Sequence, residues 1–229
     1  MKFKIITLFP EFFTSPLSSG LLGKASLSGI IKIEIINLRS FSEDKFKRCD
    51  NYSYGGGNGM ILTPGPLFKA LESVKNEQTR VLLPCPGGKL LNQNLVKELS
   101  KEEEICIICG HYEGVDHRVT NRFVNDEISV GDYLLSGGEF ASLIIIDTIA
   151  RYIPGFMSNP CSLKEESFEN DLLEYPQYTR PSIIDGWEVP AILLSGNHEK
   201  IRKWRIEKSI EKTKKARPDL YQKYLARKE

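Results

Sequence analysis

The sequence predicts an α/β domain built on a mainly parallel sheet, followed by a small, basic, mostly helical unit. Three observations carry this reading. Short β-rich runs at 2–8, 31–38, 80–83, 105–109 and 127–130 alternate with segments of helical spacing, the pattern that places parallel strands under crossover helices. Three strand ends run into turns dense in glycine and proline, at 84–88, 110–114 and 131–138. Charge is also divided along the chain: residues 195–229 carry 12 Lys/Arg against 5 Asp/Glu, a net of +7, on a body of net −6.

Taken in order, 2–8 is a strand ended by Phe9-Pro10, 17–27 is a Leu/Ala-rich helix, and 31–38 alternates as a strand. Residues 41–58 are polar and then glycine-rich without apolar periodicity, and read as a long loop of the functional or mobile kind. Thr63-Pro64-Gly65-Pro66 opens a helix that continues to about Lys75, with Pro66 suited to its first turn. Asn92 can cap the next helix, which reaches about Glu104. A short helical stretch follows Asp116, and 139–152 is a long, largely apolar helix that stops before Pro154-Gly155. The expected divisions are 1–155 for the α/β domain, 156–176 for a mobile acidic linker, and 177–229 for the basic unit. Within the last, 187–194 reads as extended, 197–217 as a basic helix ended by Pro218, and 220–225 as the start of another.

A chain of 229 residues suits one large domain or a domain with an appendage. No apolar run approaches the length of a membrane span, and the N-terminus lacks a signal-peptide cleavage site, so no membrane association is expected. Five cysteines, an odd number without framework spacing, point to a reducing compartment and a cytoplasmic protein. A basic tail on an acidic body is the signature of a nucleic-acid-binding appendage, and a solvated helix face is the alternative.

Several familiar chemistries are excluded. No Gly-Lys-Ser/Thr follows the glycines of 54–60, so this is not a P-loop. No strand is followed by G-x-G-x-x-G, and no Ser elbow of the G-x-S-x-G form occurs. Cys106 and Cys109 form a C-x-x-C without a second pair, and the three histidines have no ligand spacing, so no metal site is expected. What remains is a pocket made largely of main chain at three neighbouring strand ends. Adenine suits it, because backbone N–H and C=O groups can bind its edge while Leu134 and Leu135 cover its face.

The strings YGGGNGM, GHYEGVDHR, VGDYLLSGGE, ARYIPG, YTRP and SGNHEKIRKWR occur in order along the chain. Together they resemble the signatures of the bacterial tRNA (guanine-N1)-methyltransferases, over residues 2–217. That family belongs to the knotted (SPOUT) methyltransferases. The resemblance therefore implies a deep trefoil knot at the three turns, a bound S-adenosylmethionine that leaves as S-adenosylhomocysteine, and a homodimer whose active sites are shared between subunits. Carried over position by position, the cofactor contacts fall on Leu83, Pro84 and Gly87, then on Gly110, Tyr112 and Glu113. In the third turn they fall on Val130, Gly131, Asp132, Tyr133, Leu134, Leu135, Gly137 and Gly138.

The implied reaction is methylation at N1 of the guanosine immediately 3′ of the anticodon (position 37) in tRNA. That nitrogen carries a proton at neutral pH, so a general base is needed, and a cation must stabilise charge on the adjacent carbonyl oxygen. Arg151 matches the family's arginine for that oxygen, although an arginine there could also cap the helix. The family's base is an aspartate before a Ser-Phe pair; here Glu166 precedes Ser167-Phe168, and Asp171 is the fallback. Asp50 matches a residue associated with the guanine. The basic unit would grip the anticodon stem-loop, with Arg202, Lys203 and Arg205 on phosphates. Trp204, at helical spacing with Ile201, reads as core or as a base-stacking ring. His111 and Asn58 depart from the arginine and proline common in relatives. The alternatives are a knotted methyltransferase acting on another RNA and a non-catalytic RNA-binding protein.

Overall fold

The computed structural model describes residues 1–56, 59–159, 163 and 165–227, in two compact units, Met1–Ser158 and Asn159–Glu229. The first unit opens with β1 (Lys2–Thr7), α1 (Thr14–Ser18), α2 (Gly20–Leu27) and β2 (Lys32–Asn37). A hairpin of β3 (Asp50–Tyr52) and β4 (Met60–Leu62) leads to α3 (Pro64–Val74), β5 (Thr79–Leu90) and α4 (Gln93–Leu99). The unit closes with β6 (Glu104–Ile108), α5 (His117–Phe123), β7 (Asp126–Ser129) and α6 (Gly138–Ala150). Five strands form one sheet in the order β2-β1-β6-β5-β7, and every neighbouring pair is parallel.

Alternation along β6 feeds two cores. Ile105 and Ile107 pack on one face with Ile145, Ile146 and Ile149 of α6, while Cys106 and Ile108 pack on the other with Leu67, Ala70 and Leu71 of α3. Both faces are covered there, which is why β6 reads as a continuous apolar run. Cys106 and Cys109 belong to opposite cores and cannot share an ion; burial pushes the Cys106 thiol up to about 12. At the start of the sheet, Lys4 on β1 meets Glu104 on β6 at 2.7 Å, with both side chains nearly buried. Burial by itself would raise the Glu104 carboxyl, but hydrogen bonds from the Lys4 ammonium and the Thr79 hydroxyl hold it below the usual range.

Four sequence expectations are corrected in this unit or the next. The helix expected at 17–27 is two helices, α1 and α2, which part at Ser19, where the chain is extended (φ −115°, ψ 159°). The loop expected at 41–58 contains β3, three residues too short and too exposed to show periodicity. β5 does not stop at Leu83 but resumes pairing with β7 at Lys89, after a register break that loops out 85–88. Glycine permits this at position 88, where a Cβ would lie 2.3 Å from the Ile128 nitrogen. Asp126 then accepts from Arg80 Nε at 2.8 Å and Lys89 Nζ at 3.1 Å, so one buried carboxylate ties both limbs of β5 to β7.

The second unit contains a two-residue hairpin, β8 (Ile183–Ile184) and β9 (Trp187–Glu188), then α7 (Ala191–Leu194), α8 (His198–Ala216) and α9 (Pro218–Ala226). The extended piece expected at 187–194 is thus a strand and a helical turn. Asp185 and Gly186 both have positive φ, 51° and 78°, which makes the tight turn that reverses the hairpin. Asn197 caps α8 by accepting from Lys200 N at 3.0 Å. Residues 165–175 fall in this unit and are held on α8 and α9. Leu173 N donates to Thr213 Oγ1 at 2.8 Å, Lys212 Nζ to the Glu174 carbonyl at 3.0 Å, and Arg227 Nε lies 2.8 Å from Asp171.

Candidate active site

Where β5 loops out and at the carboxyl ends of β6 and β7, the three turns rich in glycine and proline enclose one cleft of about 440 Å³. Its walls are main chain and apolar side chains, held where they are by close approaches that only glycine allows. A Cβ on Gly138 would fall 2.7 Å from Cys109 Cα and 2.8 Å from Gly110 N, so α6 begins in direct contact with the end of β6. The Gly138 amide donates to the Gly110 carbonyl at 2.8 Å.

A buried polar relay locks the same junction. His111 Nε2 lies 2.7 Å from Glu139 Oε2, and the Thr7 hydroxyl donates to Glu139 Oε1 at 2.7 Å. Thr7 in turn accepts from Phe9 N at 2.9 Å, and the Phe9 ring meets His111 edge-on at 4.9 Å. The end of β1, the second turn and the first turn of α6 are thereby one rigid piece.

Of the residues expected to hold the cofactor, Pro84, Gly110, Tyr112, Glu113, Val130, Gly131, Tyr133, Leu134, Leu135, Gly137 and Gly138 line this cleft. Three do not: Leu83 is buried in the core, and Gly87 and Asp132 are exposed outside the lining. Cys85, Pro86, His111, Gly114 and Ser136, placed by the sequence in the three turns but not among the contacts, also line it, and Ile128, Ser129 and Ala141 were missed. Their signal was adjacency, since each lies within three residues of an expected one. Gly57 and Asn58 of the glycine loop lie outside the described residues.

Asp50 does not line the cleft; it lies on the β3–β4 hairpin, which is stitched to the second turn. Glu113 N donates to Met60 O at 3.0 Å, and Leu62 N to Gly114 O at 2.9 Å. The Tyr112 hydroxyl is pushed up first by burial and then by the Asp50 carboxylate. Arg151 is half-buried at the C-terminal cap of α6, its amide donating to Asp147 O at 3.3 Å. At 1.5 Å per residue it stands roughly 20 Å along the helix from Gly138.

In the second unit, Glu166, Arg202 and Arg205 line a separate cleft of about 560 Å³ with Leu172, Leu173 and Ile206. Lys203 is exposed on α8, as expected for a phosphate contact. Arg205 is not presented that way: its guanidinium lies over the Tyr175 ring at 4.6 Å and faces Glu165 at 3.7 Å. Asp171 is engaged with Arg227. Trp204 is half-buried, 6.5 Å from the Tyr178 ring.

The cleft fits a bent nucleoside with a polar tail: its volume is within the range for such ligands, and it offers backbone donors and acceptors beside leucine and isoleucine faces. Among the described residues no helix is long and apolar enough to cross a membrane.

Comparison with known proteins agrees with this arrangement. The family model described as tRNA (Guanine-1)-methyltransferase TrmD matches residues 1–223. A tRNA (guanine-N(1)-)-methyltransferase of Caldicellulosiruptor saccharolyticus is 53% identical over 221 residues, covering 96% of this chain and 90% of that protein. Proteins of the same name from Dictyoglomus turgidum and Gloeothece citriformis are 48% and 51% identical, covering 97% and 98% of this chain and 91% and 98% of theirs. With matches of this extent, and with the three turns meeting in one cleft, the chain belongs to the tRNA (guanine-N1)-methyltransferase family.

Proposed function

We propose that this chain transfers a methyl group from S-adenosylmethionine to N1 of the guanosine immediately 3′ of the anticodon (position 37) in tRNA, in the cytoplasm. The observation that carries the reading is the cleft between the loop of β5 and the ends of β6 and β7, in a chain matched to this family over residues 1–223. The trefoil knot implied by the resemblance is part of the proposal.

When bound, S-adenosylmethionine supplies an electrophilic methyl on a sulfonium. The protein's own groups do the rest. Backbone amides and carbonyls of the three turns would hold the adenosine and tail, with Leu134 and Leu135 excluding water from its face. Glu166 takes the N1 proton, and Arg151 stabilises the negative charge that builds on the carbonyl oxygen as that proton leaves. Glu166 is preferred to Asp171 because it stands directly before Ser167-Phe168, where the family's aspartate stands. Asp50 contacts the guanine, and Arg202 and Lys203 hold phosphates of the anticodon stem-loop.

The homodimer with shared sites is supported by two features of the first unit. Tyr133, Leu134, Phe140 and Ile144 are exposed by 53, 84, 53 and 39%, an apolar surface that asks for a partner. The length of α6 separates the cleft from Arg151 within one chain, and a second copy crossing there brings an arginine to each cleft.

Methyl transfer to an unmodified tRNA transcript tests the function, with guanosine compared with adenosine at the position 3′ of the anticodon. Transfer to guanosine alone is expected; equal transfer to both, or none, defeats the reading.

A further inference from the structure

The segment that carries Glu166 is fastened to α8 at its N-terminal end by a cluster of three side chains, Glu165, Tyr175 and Arg205. Arg205 Cζ sits 4.6 Å above the Tyr175 ring, Arg205 Nη1 lies 3.7 Å from Glu165 Oε2, and the Tyr175 hydroxyl donates to that same oxygen at 3.4 Å. Arg205 Nε is buried without a hydrogen-bond partner. Its neighbours Arg202 and Lys203 are exposed, whereas 40% of the Arg205 side chain is accessible. Bidentate binding of phosphate takes two parallel N–H groups of the guanidinium fork. Here Nη1 faces Glu165 and Nε is buried.

We propose that Arg205 is a positioning residue for Glu166: stacked on Tyr175 and paired with Glu165, it fixes the 165–166 turn on α8, instead of contacting tRNA phosphate. This rests on the reading of Glu166 as the base. Farther along, the same segment is pinned through Leu173 to Thr213 and through Lys212 to the Glu174 carbonyl. Arg205 fastens the turn at the residue before Glu166, and its loss removes that hold. Proton abstraction needs the carboxylate within hydrogen-bond reach of N1, so a displaced turn lowers the chemical rate more than it lowers binding.

Two measurements on the full-length protein with a tRNA transcript separate this role from a phosphate contact: the single-turnover rate at saturating tRNA and donor, and the slope of log tRNA affinity against log salt. Arg205→Ala is expected to slow the rate on the order of 100-fold with the slope unchanged. Lys203→Ala is expected to reduce the slope by about one. Tyr175→Phe, which keeps the stacked ring, should retain most of the rate that Tyr175→Ala loses. Arg205→Lys keeps the charge and guards against misfolding of α8; it should recover only part of the rate, because an ammonium cannot stack on the ring as a guanidinium does.

A normal single-turnover rate for Arg205→Ala together with a slope reduced by about one makes Arg205 a phosphate contact and overturns the proposal. Glu166→Gln run alongside separates the two layers. If it turns over normally, the base assignment fails and the proposal falls with it. If it is inactive while Arg205→Ala is normal, the clamp alone is wrong.

Discussion

In the Met1–Ser158 unit, a parallel sheet with an apolar core on each face carries a cleft built from glycine backbone. In the Asn159–Glu229 unit, Leu220 is the one buried apolar side chain among the described residues, and Ser209 and Thr213 are the other buried positions. The first unit holds its groups by packing that leaves no room for adjustment. The second holds 165–175 by hydrogen bonds and ion pairs, which are individually weak and separable. The cleft proposed for the donor is therefore preformed, while the segment carrying the proposed base can be released contact by contact. Such division suits an enzyme that must bind a small constant reagent and a large RNA.

The comparison breaks most readily at the start of the sheet. Replacing Lys4 by Met leaves Glu104 buried without its ammonium partner, although Thr79 and Lys2 remain near it. A loss of about 3 kcal/mol is expected at pH 7, read by urea unfolding. The sign with pH follows from the depressed Glu104 carboxyl. Its contribution is present above the unfolded value of about 4.3 and is lost as pH falls through the lower folded value. The difference between Lys4→Met and wild type should accordingly shrink on acidification, and a constant difference would deny the pair its role.

Next in size is the glycine at the mouth of the cleft. A methyl at position 138 would press on Cys109 Cα at 2.7 Å, so Gly138→Ala should cost roughly 1–3 kcal/mol. Because α6 must shift away from the second turn, affinity for S-adenosylmethionine should fall by about tenfold or more, one decade per 1.4 kcal/mol. Calorimetric titration and thermal melting measure the two effects together. Unchanged affinity would show that the cleft is softer than its close approaches imply.

In the second unit the matching lesion is Thr213→Val, which keeps shape and removes the acceptor of the Leu173 amide at 2.8 Å. The expected cost is about 1 kcal/mol, confined to 165–175 and read as faster hydrogen exchange at Leu173. Unfolding of the first unit should not move. A global change would mean that the segment is not the separable strap described above.

What could be read beforehand divides along the same line. β6 was legible as an apolar run because both its faces are buried, and β2 as an alternating one because Lys32 and Glu34 face solvent. β3 was not, since Asn51 and Tyr52 are exposed and its ladder with β4 is only three pairs long. The continuation of β5 to Leu90 was hidden by Pro84 and Pro86, which normally end strands, and became possible only because 85–88 loop out. The glycine turns announced the cleft; the relay from Thr7 through Glu139 to His111 did not announce itself, because it joins positions 132 and 28 residues apart. Arg205 looked like its neighbours Arg202 and Lys203 for the same reason. Charge is visible in a sequence, and the direction a guanidinium faces is set by contacts that are not.

The smallest effect sharpens the contrast between the units. Asp219 is held at about 2, first by its hydrogen bond to Arg217, with Nη2 at 2.7 Å, yet it is fully exposed at the first turn of α9. Glu104 is also depressed, but it is buried. Both carboxyls contribute above their unfolded values and lose that contribution as pH falls through the folded ones, so on sign alone they are alike. They differ in screening: water and salt surround the Arg217 pair and do not reach the Lys4 pair. Asp219→Asn should therefore leave acid unfolding of the protein indistinguishable from wild type at physiological salt, while Lys4→Met changes its pH dependence. The check is a pair of acid titrations followed by circular dichroism at low and at physiological salt. An Asp219→Asn difference that persists in salt would mean that a surface pair in the second unit does what only buried pairs do in the first, and the division between packed and strapped regions would have to be redrawn.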